Sequence, residues 1–353
     1  MVKNTQSSKS KLGQFYTTNY KYILTNLSIP ESTLNIIEPF AGNGDMLQFI
    51  EPNEQEKYNI ECYDIDPKKD FITQRDTLKN PPEYEGKFVL TNPPYLARNK
   101  CESKELFDKY DVNDMYKCFI VNLVENKSDG GIIIIPLNFW SSIRNMDVQL
   151  RKKFLKVYNI IHINIFEEQV FNDTSYTVCA FQFQKREEYD EDINNSICVE
   201  FFPSRETINC VLNEDNNYTI GGEIYKLPLQ NTYKISRLIK GNKKNTNLLA
   251  KCIDDNANSM IGIKYVNDDG VFYDETPNKS ARTYATLTIE PEISVERQIF
   301  LATEFNSFLN KHRKKYHSLF MANYRESNSI ARKRISFDLL YSIIGYLLTK
   351  EDD

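Results

Sequence analysis

Short apolar runs recur through the first half of the chain, and each breaks off at residues that cannot continue a strand. Leu34-Asn-Ile-Ile37 runs into Glu38-Pro-Phe-Ala-Gly-Asn-Gly-Asp45, Tyr58-Asn-Ile-Glu-Cys-Tyr63 into Asp64-Ile-Asp-Pro67, and Phe88-Val-Leu90 into Thr91-Asn-Pro-Pro-Tyr95. Further runs at 72–78, 131–136, 160–166 and 176–184 bring the set to seven. A period near 3.6 predicts helices over 19–27, 115–125 and about 147–158, the first capped by Thr17 or Thr18. Strands alternating with helices predict an α/β domain on an open, seven-stranded, mostly parallel sheet. That rhythm stops in the charged, turn-rich stretch 185–195, which predicts a boundary between domains 1–190 and 191–353. Beyond it, strand-like runs at 197–202, 208–212, 218–227, 261–266 and 285–289, with helices at about 294–309 and 337–348, predict a mixed α+β domain.

Open α/β sheets bind ligands in the crevice outside the carboxyl ends of their strands, so the residues there carry the candidate chemistry. At the end of the fourth run, two consecutive prolines forbid both a continued ladder and an immediate helix. Asn92 therefore leaves the sheet on a stiff turn. Its amide oxygen and the carbonyl of Pro93 are two acceptors aimed one way, suited to a substrate –NH₂ group, and Tyr95 follows with a flat face for a planar ring. The plainer alternative is a Pro-Pro turn with an ordinary turn asparagine. Gly42 and Gly44 let bare backbone approach a ligand where a helix would begin. Leu47 stands where the dinucleotide fingerprint has its third glycine, which speaks against a nicotinamide or flavin enzyme. Asp64 or Asp66 falls at the spacing, roughly twenty residues on, that reaches ribose hydroxyls, and Asp76 closes the third run.

Composition narrows the class. At 353 residues, 26% charged and 41% hydrophobic, the chain can bury two cores, and no apolar run approaches a membrane span. Residues 1–11 are polar and mildly basic without an h-region, so neither a signal peptide nor an anchor is expected there. Seven scattered cysteines without a C-x-x-C pair argue for reduced thiols, no zinc site and an intracellular, soluble protein, in the cytoplasm of a microbe or of a virus-infected host. His162, inside a strand, reads as a core or edge histidine. The net charge of -5 hides one basic stretch: Lys311, Arg313, Lys314, Lys315, Arg325, Arg332, Lys333 and Arg334, interleaved with Tyr316, His317, Phe320 and Tyr324 and opposed only by Glu326. Cations among aromatics are the footprint of a phosphate-backbone contact; a solvated helix face is the alternative.

With Gly13-Gln-Phe-Tyr-Thr17, Glu38-Pro-Phe-Ala-Gly-Asn-Gly-Asp45, Asp64-Ile-Asp-Pro67, Arg75-Asp76 and Asn92-Pro-Pro-Tyr95 in that order, residues 11–185 resemble the S-adenosylmethionine-dependent DNA adenine-N6 methyltransferases. A recognition region after the catalytic one resembles their gamma class. The resemblance implies a Rossmann-like methyltransferase domain and then a target-recognition domain, with S-adenosyl-L-methionine as cofactor and double-stranded DNA as partner. It also implies a restriction-modification or self-marking role, with a cognate restriction endonuclease among the partners such systems have. By it, Gln14, Phe15, Tyr16 and Thr17 close over the cofactor's methionine end, and Glu38, Pro39, Ala41, Gly42 and Gly44 hold its methionyl part. Asp64 takes the ribose hydroxyls beside Ile65, and Asp76 accepts from the cofactor's adenine amine. Asn92, Pro93, Pro94 and Tyr95 form the catalytic turn, while Tyr95 and Phe171 hold a flipped base. Asn43 departs from the family pattern, changing the turn's polarity but keeping both flexible positions.

The chemistry follows from the amine. Adenine's N6 lone pair is delocalised, and two acceptors on its protons pull the nitrogen toward tetrahedral geometry, after which in-line methyl transfer needs positioning and no covalent intermediate. Methylation of a cytosine carbon would need a cysteine nucleophile, and no Pro-Cys pair stands at a strand end. RNA adenine or a protein glutamine could use the same Asn-Pro-Pro-Tyr pocket, and a catalytically silent DNA-binding subunit is a reading from another class.

Overall fold

The structure, a computed structural model, describes residues 17, 19–171, 176–187, 196–228, 232–255, 259–267, 284–323 and 333–352. The seven expected strands form as β1 (Asn35–Glu38), β2 (Asn59–Asp64), β3 (Thr73–Gln74), β4 (Phe88–Thr91), β5 (Gly130–Pro136), β6 (Tyr158–Phe166) and β7 (Val178–Lys185). Two more, β8 (Ile197–Phe202) and β9 (Thr207–Cys210), extend the same sheet, whose spatial order is β3-β2-β1-β4-β5-β7-β6-β8-β9. β1 pairs in parallel with both β2 and β4, and β4 with β5, whereas β7 runs antiparallel to β5 and β6. Chain order reverses between β1 and β4, so a crevice opens at their carboxyl ends, where Glu38 and Asn92 stand.

Burial on both faces explains why β5 reads as an unbroken apolar run: Ile132, Ile133, Ile134 and Ile135 are all 0% exposed. Its glycines let the neighbours close in, since a Cβ on Gly131 would stand 2.6 Å from the Val89 carbonyl oxygen. Aromatic rings fill one side of the core, with Trp140 against Phe181 at 5.1 Å and Phe154 against Phe183 at 5.3 Å between centroids.

The helical expectations hold unevenly. α1 (Tyr20–Ile23) is shorter than predicted and starts at Asn19, so Thr17 is no cap, and Thr18 lies outside the described residues. After the glycine turn the chain makes only a short 3₁₀ turn, Met46–Phe49, where a helix was expected. Then come α2 (Glu105–Tyr110), α3 (Met115–Asn126), α4 (Asn138–Ser141) and α5 (Asn145–Val157).

The boundary expected at 190 shifts as well. The chain divides into two compact units, the second made chiefly of Glu214–Arg325 and Ala331–Asp353, with Ser141–Ile143. The charged stretch before β8 does not divide the units, because β8 pairs in parallel with β6 and satisfies an edge that would otherwise be bare.

In the second unit, β10 (Lys234–Arg237), β11 (Leu248–Lys251), β12 (Gly262–Tyr265) and β13 (Tyr284–Glu290) form an antiparallel sheet ordered β10-β13-β11-β12. Neither β10 nor β11 was foreseen, although only β10, Lys-Ile-Ser-Arg, lacks an apolar run, and the strand expected over 218–227 is a 3₁₀ turn at Gly222–Lys226. α6 (Val295–Tyr316) continues beyond its expected end at 309 because Arg313 and Tyr316 still face inward. Its Asn306 clamps edge strand β12, accepting from Ile263 N at 3.2 Å and donating to Ile263 O at 2.7 Å. The two-stranded pair β14 (Ala322–Asn323) and β15 (Lys333–Arg334) and helix α7 (Phe337–Asp352) complete the unit. Among the described residues no helix is long and apolar enough to cross a membrane.

Candidate active site

The ends of β1, β2 and β4 open onto one cavity of about 420 Å³. Of the expected residues it is lined by Thr17, Glu38, Ala41, Gly42, Asp64, Ile65, Asp76, Asn92 and Pro94, and Phe40, Asp45, Leu78 and Met115 add walls the sequence did not flag. Pro39, Gly44 and Pro93 support the turns without lining it; Pro39 O, for example, accepts from the Thr77 hydroxyl at 2.9 Å. Gln14, Phe15 and Tyr16 lie outside the described residues.

The glycine turn is wound by its own backbone. Gly42 and Gly44 take φ of 55° and 78°, the left-handed region that glycine enters without strain, and Gly44 N donates to Ala41 O at 2.6 Å. Asp64 braces this turn from the next strand end, its Oδ2 accepting from Gly42 N and its Oδ1 from Asp66 N, both at 2.8 Å. Asp66 is exposed, pairs with Lys68 and does not line the cavity.

Glu38 is 1% exposed and its Oε2 has no hydrogen-bond partner. Burial, then the nearby charges of Asp45 and Asp64, hold its carboxyl well above the usual carboxylate range. Asp45 Oδ2 is also buried and unpartnered, and burial raises this carboxyl too, with Lys69 opposing. Three carboxyl groups thus converge on one wall of the cavity, an arrangement that a bound cation would relieve.

Asn92 is 9% exposed, and its Nδ2 donates to Thr17 Oγ1 at 3.1 Å. Its Oδ1 accepts from the Tyr95 hydroxyl, which also bonds Ile134 O at 2.7 Å. Tyr95 is only 2% exposed, and burial keeps its hydroxyl protonated far beyond the ordinary tyrosine range. Its ring meets Tyr116 and Tyr176 edge-on, at 6.3 Å and 5.9 Å. The expected partner Phe171 is buried, 3% exposed. Tyr176 was counted as the first residue of the seventh strand. Because β7 starts at Val178, Tyr176 is left at the strand's mouth.

The basic stretch fares differently. Arg313 is not available to a phosphate: it is 8% exposed, its Nε and Nη2 grip Asp255 at 2.9 Å and 2.8 Å, and Nη1 donates to Asn310 Oδ1 at 2.7 Å. Lys311 and Lys314 are exposed. Lys315 is exposed too, reaching Glu223 at 3.5 Å and lying 4.7 Å over the Tyr316 ring. Lys333 and Arg334 sit half-buried in β15, and Arg325 and Arg332 lie outside the described residues. No group of His, Cys, Asp and Glu among the described residues is arranged to hold a metal.

Residues 50–199 match the N-6 DNA Methylase family. That match spans less than half of the chain. No curated protein matches the chain. Among solved structures, it is similar to the methyltransferase subunit of a type I restriction-modification system from Streptococcus thermophilus (14% identity, TM-score 0.40), covering 56% of this chain and 48% of that one. A modification subunit assigned to a type I restriction enzyme of Vibrio vulnificus YJ016 gives 15% identity and a TM-score of 0.42 over 54% of this chain and 47% of that one. DrdV, in complex with DNA, gives 14% identity and a TM-score of 0.43 over 71% and 36%. The chain spans about half or less of each of these proteins.

Proposed function

We propose that the first unit is a gamma-class methyltransferase that moves a methyl group from S-adenosyl-L-methionine to N6 of an adenine everted from duplex DNA, in a restriction-modification system with a cognate endonuclease. The observation that carries this is the shared cavity: Asn92 and Pro94, from the double-proline turn, line the same space as Glu38, Gly42, Asp64 and Asp76. Had the two turns opened onto different surfaces, no methyl could pass between them.

The residues fit the cofactor. Unpartnered oxygens of Glu38 and Asp45 suit a ligand bearing both an ammonium and a sulfonium, and bound there it supplies a methyl group activated by positive sulfur. Asp64 would take the ribose hydroxyls, Asp76 the adenine amine, and Ile65, Phe40 and Leu78 the apolar ring faces. Asn92 Oδ1 and the Pro93 carbonyl would accept the two protons of the target amine. A carbonyl oxygen has two acceptor sites, so the Tyr95 bond that orients the Asn92 amide is compatible with catching an amine. Eversion is required because N6 is out of reach inside a duplex.

In the second unit, exposed Lys311 and Lys314 support a DNA-backbone contact and a target-recognition role. Labelled methyl transfer to unmethylated duplex DNA, RNA and protein tests the reading. N6-methyladenine in DNA is expected; label in RNA or protein with none in DNA overturns it.

A further inference from the structure

Beside the Asn92–Tyr95 turn lies a second cavity, of about 610 Å³, which no sequence motif marked. Its lining includes Ala97, Asp114, Tyr116, Pro136, Asn138 and Tyr176. We infer that this cavity receives the everted nucleobase and that Asp114 reads its ring nitrogens, selecting a 6-aminopurine. The inference rests on the methyltransferase reading and adds a substrate-contacting residue to it.

The geometry is continuous from one cavity to the next. Tyr116 and Tyr176 line the second cavity and both meet the ring of Tyr95, whose hydroxyl holds Asn92, a wall of the first. A planar ring seated against Tyr176 would therefore lie one side chain from the acceptors that catch an amine. Asp114 is the polar group this neighbourhood leaves unsettled. It is 8% exposed, and its Oδ1 has no hydrogen-bond partner. A buried acceptor without a partner costs about 1–3 kcal/mol, a penalty that a ligand contact would remove.

Burial favours the neutral form of Asp114 and pushes its carboxyl up to about 7, with the Lys117 charge and backbone hydrogen bonds from Tyr116, Leu96 and Met115 pulling the other way. Lys117, buried itself, is committed to Asp147 and to Asn113 Oδ1 at 2.8 Å, so much of its charge is already neutralised. Arg151, from the same helix as Asp147, directs Nη1 to Phe139 O at 2.6 Å. The facing hydroxyls stay neutral, since burial raises Tyr95 and Tyr116 well above the usual range and Tyr176 to about 12. Arg98, Lys104 and Arg144 also line the cavity, Arg98 paired with Asp108 and Lys104 donating to the carbonyl oxygens of Arg98 and Cys101.

A protonated carboxyl donates to the bare ring nitrogens of adenine, whereas an ionised one repels them. The proton stays on Asp114 throughout, so no bond is made or broken by it. Tyr176, in turn, replaces part of the stacking lost on eversion.

The test compares the wild-type protein with Asp114→Asn and Asp114→Ala. The carboxamide donates at every pH, and alanine donates at none. Wild-type kcat/KM for unmethylated duplex DNA should fall toward tenfold per unit above about pH 7. Asp114→Asn should abolish that fall, and Asp114→Ala should lie at least about tenfold below wild type at pH of about 6 with cofactor affinity unchanged. In parallel, saturation-transfer NMR follows 2′-deoxyadenosine binding with the first cavity filled by S-adenosylhomocysteine. Stronger binding at about pH 6 than at about pH 9, lost in Asp114→Ala, supports the assignment even if no DNA is methylated, in which case only the methyltransferase reading falls. Absence of nucleoside binding to wild type, or an Asp114→Asn profile that tracks wild type, overturns the assignment whether or not DNA is methylated.

Discussion

The cavity of the first unit and the cationic stretch of the second were both legible as clusters of chemistry, and they behave oppositely once folded. In the first unit, Glu38, Asp64, Asp76 and Asn92, scattered along the chain, line one cavity because each stands at or just beyond a strand end on the same edge of the sheet. In the second, neighbours in sequence separate: Lys311 and Lys314 face solvent while Arg313 turns inward to a carboxylate, Asp255. Helical geometry sends positions one apart to different faces. A run of like charges therefore says little about how many are available to a ligand, whereas motifs at successive strand ends share a location by topology.

Four experiments bear on this contrast. The largest effect is expected from Arg313→Ala, which leaves Asp255 buried without its partner and should cost about 3–5 kcal/mol in urea unfolding. An effect on DNA affinity with stability intact would return Arg313 to the phosphate-binding group. Next, Asn92→Ala should lower kcat by at least about a hundredfold while cofactor affinity stays near wild type; near-normal turnover would detach Asn92 from the chemistry.

Glu38→Gln should separate folding from binding. A raised carboxyl contributes stability that is fully present below its unfolded value and is lost as pH rises through its folded one, so at neutral pH the charged form is a liability. Glutamine removes that liability and should stabilise the ligand-free protein at pH 7 by on the order of 1 kcal/mol, yet weaken cofactor binding. A variant that is less stable at pH 7 and binds cofactor normally contradicts both halves. The smallest effect belongs to the surface: replacing Lys311 and Lys314 by alanine should reduce the salt slope of DNA binding by about two. An unchanged slope would make that helix face an ordinary solvated one.

Much of the fold was readable. Period and punctuation gave the seven strands in chain order, because a half-buried sheet imposes both. What escaped were elements defined by partners rather than by their own pattern. β8 and β9 belong to the first sheet because β6 offered an edge, and β10, with Ile235 as its only apolar residue, is a strand because β13 pairs with it. In the site, Asp64 and Asp66 were indistinguishable by spacing, and Tyr176 was hidden inside an expected strand.

Local backbone chemistry was enough to show that a glycine turn, an acidic strand end and an Asn-Pro-Pro-Tyr turn would each close a strand, since glycine and proline act on the backbone wherever they stand. Which side chains meet was settled by the fold. It set Tyr176 against Tyr95, buried Arg313 against Asp255 and left Glu38 and Asp114 with oxygens unpartnered. Contact and burial depend on residues far away in the chain, and no local pattern records them.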